Sequence, residues 1–153
     1  EVVYAQVKLG VPMAMQQRAI KAEIFFHQAD ESRAVIRGQL DELAASGVKV
    51  AIWGGTGKAA VFIHQFNVDA VRFPLVVDSD PDKTGTFVPG TGQRIQFRDV
   101  LKTMPVDTVI IPTQWRAKDI IAEMKREAIY PKQVLIEDGG RLVDFMTGEH
   151  HYA

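Results

Sequence analysis

The chain has 153 residues, no cysteine and a formal net charge of -1, with 46% hydrophobic and 24% charged residues. That length suits one domain with a continuous core, and the missing cysteines exclude disulfides, thiolate catalysis and Cys-based zinc sites within it. The balanced charge argues against a nucleic-acid surface, and no apolar run approaches the ~18 residues of a membrane span.

Residues 1–12 read as an extended segment, because Val3, Ala5, Val7 and Leu9 alternate with more polar neighbours before Gly10 and Pro12. Glu1–Gly10 lacks the charged head and apolar core of a signal peptide. A cysteine-free chain fits a reducing cytoplasm. Because residue 1 is Glu, the expectation is a piece of a longer protein.

From about Met13 to Ser46 the pattern is helical, with Phe25, Ala29, Ile36, Leu40 and Leu43 near helical spacing. It reads as one helix, or as two with a join near Asp30-Glu31-Ser32, where Asp30 or Ser32 would cap the second. Gly47 is a natural stop. Residues 1–46 therefore form an N-terminal extension, expected to lean on a preceding domain, and residues 47–153 form the main domain.

Val48–Trp53 reads as a buried parallel strand, followed by a glycine turn and a helix from about Gly57 to Phe66. Phe73–Val77 is a second strand, ending at Asp78. Residues 79–94 are loop-like, and Arg98–Lys102 is a short helix. Thr108–Ile111 is a third strand, Ala117–Ala128 a helix with Ile120, Ile121 and Met124 buried, and Val134–Ile136 a fourth strand. Leu142, Val143 and Phe145 suggest a last edge strand. Strands alternating with helices predict an α/β fold: a Rossmann-like, doubly wound, mainly parallel sheet with an N-terminal helical extension.

The most informative stretch runs Gly54, Gly55, Thr56, Gly57 and Lys58. Gly55, Gly57 and Ala60 fill a G-x-G-x-x-A pattern between strand and helix. Such a loop turns sharply, lets a phosphate approach the backbone, and offers the amides and dipole of a helix start to an anion. Asp78 lies about 20 residues on, where an acid accepts from ribose hydroxyls. The other reading is a tight turn with no ligand. A P-loop is excluded, since Ala59 follows Lys58 and Ile52 stands where its first glycine belongs.

Asp78, Asp80 and Asp82 alternate like a calcium loop, but Pro81 and the missing sixth-position glycine favour a solvated turn. His27 and His64 are isolated, and His150 and His151 sit at the chain end, so no metal site is expected. Trp115 follows the third strand at the ligand-bearing edge of such a sheet. It suits a stacking wall for a base or sugar, and equally a hydrophobe capping the core. Arg116 and Lys118 are nearby cations. No residue is placed as a catalytic base beside a nucleophile.

Four stretches carry a family resemblance: Val50–Lys58 (VAIWGGTGK), Val76–Gly85 (VVDSDPDKTG), Val88–Thr91 (VPGT) and Val109–Trp115 (VIIPTQW). Residues about 49–136 resemble the C-terminal domain of S-adenosylmethionine-dependent C-methyltransferases acting on nucleotide-linked sugars. The helix before Gly47 also fits the family. The resemblance implies a substrate-side domain whose glycine loop faces a nucleotide-sugar-type ligand. It implies that the methyl donor and the catalytic acid-base residues belong to a preceding methyltransferase domain, with no cofactor held by this chain. Arg116 departs from the expected Asn, and Gly92-Gln93-Arg94 from a short apolar join. Small nucleotide-sugar domains of sugar acetyltransferases and dehydratases share the pattern. Other readings are a non-catalytic NAD(P) or nucleotide sensor, and a fold kept for domain packing or for a homodimer.

Overall fold

The computed structural model describes Ala5 and residues 13–152. Apart from Ala5, the expected N-terminal strand lies outside the described residues.

Helix α1 spans Met13–Ala45 without a break, about 50 Å at 1.5 Å per residue. The join expected near Asp30 does not exist. Ser32 Oγ donates back to Gln28 O at 2.8 Å, and Arg33 pairs with Asp30 at 2.6 Å. Both residues are engaged within a continuous helix instead of capping a new one. Gly47, at φ 74°, follows the helix end.

The α/β body then runs β1 (Val50–Trp53), α2 (Lys58–Gln65), β2 (Leu75–Asp78), a 3-10 turn (Pro81–Lys83), β3 (Ile95–Phe97) and α3 (Val100–Thr103). It continues with β4 (Thr108–Ile110), a 3-10 turn (Gln114–Arg116), α4 (Ala117–Arg126), β5 (Gln133–Asp138) and β6 (Arg141–Asp144). Among the described residues, six strands lie in the order β3-β2-β1-β4-β5-β6. Neighbours from β3 to β5 pair in parallel, and β6 joins antiparallel at the edge. This is the doubly wound sheet that the alternation of elements predicts. Strand β3 is the addition: it falls between the expected loop and short helix. Only three residues long, with only Ile95 fully buried, it carries too little periodicity to be read locally.

The strands are apolar on both faces because helices cover both. Val50 and Ile52 of β1 join Ile36 and Leu40 of α1 and Phe62 and Ile63 of α2 in one core. Ala51 and Trp53 point the other way, into a core with Ile120, Ile121 and Met124 of α4.

Strand β6 would leave an open hydrogen-bonding edge. Gln39 of α1 closes part of it: its Nε2 donates to Leu142 O at 2.9 Å, and its Oε1 accepts from Leu142 N at 2.7 Å. The second half of α1 thus belongs to the body of the domain. The short Ser46–Lys49 link sends α1 back antiparallel to β1, so its first half passes the carboxyl ends of the strands. Ser32 lies against Gly140, in the turn after β5. Above it, every described side chain from Met15 to Gln28 is exposed, an arm about 20 Å long. Phe25, which shares the helical spacing of Ile36 and Leu40, is 66% exposed, because the sheet ends below it.

Candidate functional site

In an open α/β sheet, a crevice forms at the carboxyl ends where the strand order reverses. Here that point lies between β1 and β4. The loop after β1 and the 3-10 turn after β4 border it.

The loop is held from beneath. Gly54 N donates to Val77 O at 2.6 Å, tying it to β2. Gly55 is buried, and a Cβ there would lie 2.5 Å from Ile95 Cγ1 and 3.2 Å from Val76 Cγ1. A Cβ at Gly54 would meet Ala59 Cβ at 3.1 Å. The close approach of helix to loop therefore falls at buried Ala59 rather than half-buried Ala60. Gly57 is different: it takes φ 56°, ψ -128°, and a Cβ there would meet open space. It opens α2 without a side-chain cap; Ala59 N donates to Thr56 O at 3.2 Å, and the other first-turn amides are left to solvent or a ligand.

Lys58 and Trp115 meet across the crevice. Lys58 Nζ sits 4.8 Å from the Trp115 ring centroid, in cation–π contact. Trp115 is 58% exposed. Beside it, Gln114 is buried, and Lys58 Nζ donates to its Oε1 at 2.5 Å. Gln114 Nε2 in turn donates to Glu137 O at 3.0 Å and to Glu137 Oε2 at 2.8 Å. Gln114 and Glu137 were not among the residues expected from sequence. Gln114 stood inside a quoted motif, but its partners are 56 and 23 positions away. Lys58 and Glu137 also border a cleft of about 260 Å³ between α1 and α2, with Arg33, Ile36, Phe62 and Gly140.

Asp78 ends β2, on the other side of the loop, and is buried. Its Oδ1 accepts from Asp80 N at 3.0 Å, and its Oδ2 lies 3.5 Å from Lys83 Nζ. Asp80 Oδ1 likewise accepts from Asp82 N at 3.0 Å. The alternating acids thus build successive tight turns. Among the described residues, no group of three or more His, Cys, Asp or Glu is placed to hold a metal. Nor is any helix among them long and apolar enough to cross a membrane.

Residues 13–143 match a family model described as C-methyltransferase C-terminal domain. No curated protein matches the chain.

Proposed function

The chain belongs to the C-methyltransferase C-terminal domain family, and from that membership we propose that it is the substrate-side domain of an S-adenosylmethionine-dependent enzyme acting on a nucleotide-sugar-type ligand. The observation that carries the reading is the Lys58 ammonium held over the exposed Trp115 ring beside an uncapped helix start. A fixed cation and a helix start without a side-chain cap favour an anion such as a diphosphate. They disfavour a sulfonium, so the methyl donor is assigned to a partner domain preceding this one. Bound there, S-adenosylmethionine supplies the methyl group.

In this reading Gly54, Gly55, Thr56 and Gly57 form the loop that receives the diphosphate, and Lys58 pairs with it. Trp115 stacks on the base or sugar. Asp78 keeps Oδ1 for its turn and accepts a ribose hydroxyl on Oδ2. Residues 1–46 make the contact to the preceding domain through the exposed arm of α1, and the parent enzyme works in the cytoplasm. The second reading, a nucleotide sensor that binds NAD(P), rests on the same loop and strand order.

The test is a thermal-shift screen of the chain with UDP-glucose, NAD, NADP and S-adenosylmethionine. Ligand at about 100 times its dissociation constant adds ~2.7 kcal/mol of apparent stability. A selective response to the nucleotide sugar is expected. A response to NAD or NADP alone supports the sensor, and a response to S-adenosylmethionine alone overturns the assignment of the donor to another domain.

A further inference from the structure

Gln114 is a buried amide set between a lysine and a glutamate that do not touch each other directly. Its orientation is fixed by chemistry. An amide NH2 has two hydrogens, and both go to Glu137, one to the main-chain oxygen and one to the carboxylate. Only Oε1 is left to face Lys58, where it accepts from Nζ. A carboxylate behind an amide polarises it and strengthens its carbonyl as an acceptor. The ammonium is therefore held by a group without net charge.

That arrangement has a consequence for charge. If Glu137 paired with Lys58 directly, the two charges would largely cancel at the crevice. With the amide between them, Lys58 is positioned yet stays an uncompensated cation. One N–H goes to Gln114 and the ammonium rests on the Trp115 face. An ammonium has three donors, so a further N–H is left for a ligand.

We propose that Glu137 and Gln114 are positioning residues that hold Lys58 as the diphosphate-discriminating cation of this site. The proposal deepens the nucleotide-sugar reading and rests on it for the identity of the ligand. The relay makes its own claim: the site selects for the doubly charged linker, and it does so only while the group touching Lys58 is neutral.

The experiment is calorimetric titration of the chain with UDP-glucose, inorganic pyrophosphate and uridine, with Trp115 fluorescence as a second readout. Trp53 is 2% exposed and Trp115 58%, so an anion-dependent change in emission reports on Trp115. Lys58→Met is expected to weaken pyrophosphate and UDP-glucose by about tenfold or more, the scale of a lost charged hydrogen bond, with uridine unaffected. Gln114→Glu is expected to do the same, because a carboxylate then neutralises Nζ where it stands. Glu137→Gln keeps the shape and is expected to weaken both anions a fewfold while flattening the salt dependence of binding less than Lys58→Met does. Circular dichroism melts confirm folding, and Lys58→Met and Glu137→Gln, at positions that are not buried, keep the test open if Gln114→Glu does not fold.

Wild-type affinity for pyrophosphate in all the variants overturns the relay. If UDP-glucose still binds the wild type well, the ligand reading survives that result. Relay-dependent pyrophosphate binding with no affinity for UDP-glucose overturns the ligand reading and leaves the relay standing. Failure of the wild type to bind either anion overturns both.

Discussion

Gly55 and Gly57 stand two positions apart, yet they are constrained by different physics. At Gly55 the constraint is space, since an added methyl would press on Ile95 and Val76 in the core. Gly55→Ala is therefore expected to cost about 1–3 kcal/mol, the range for overpacking, read as a lower urea midpoint with an unchanged slope. At Gly57 the constraint is the backbone, whose φ of 56° with ψ -128° excludes a side chain although the space is open. Another residue-scale effect lies at the amino edge of the sheet. Lys132, 2.8 Å from Asp107, holds that carboxyl below its ordinary range, with help from the Lys49 amide. A depressed acid stabilises the fold above its unfolded pKa, and that contribution is lost as pH falls through the lower folded value. Asp107→Asn is thus expected to lower the melting temperature at pH 7, and the gap from wild type closes as the pH falls below about 4. A gap that stays constant from pH 7 to pH 3 would contradict the pairing.

At the scale of elements, α1 and β6 depend on each other. Gln39 satisfies both main-chain groups of Leu142, a buried residue on the edge strand. Gln39→Ala leaves them without these partners and is expected to cost about 1–3 kcal/mol, measured by chemical denaturation. Gln39→Glu, which sets a carboxylate oxygen against Leu142 O where the amide donated, is expected to be destabilising as well. The order of strand and helix from β1 onwards was legible in the sequence because each buried strand is a short apolar run and each covering helix has one apolar stripe. Strand β3 was not, since its three residues owe their extended form to pairing with β2. The unity of α1 was also hidden. Asp30 and Ser32 are capping residues by type, and only their bonds to Arg33 and to Gln28 show them working inside a helix. The same contrast holds in the site. The glycine loop, Lys58 and Trp115 are candidates by residue type and place, whereas Gln114 and Glu137 become candidates only once the ends of β4 and β5 lie side by side.

For the whole molecule, the asymmetry of α1 is the main feature. Its lower half is core, with Ile36 and Leu40 each 1% exposed, while Phe25 and Phe26 above are each 66% exposed. The double replacement Phe25→Ser with Phe26→Ser is expected to shift the stability of this chain by no more than about 0.5 kcal/mol, as at other surface positions. A larger loss in a denaturation curve would mean that the arm supports the fold from within. The Gln39–Leu142 contact adds a practical handle. The Leu142 amide hydrogen is held by Gln39 Oε1, so its deuterium uptake reports the opening of this contact between α1 and β6. A body that grips the arm near Phe25 and steadies it would slow that exchange at a site it never touches, so one backbone resonance serves as a remote gauge of occupancy.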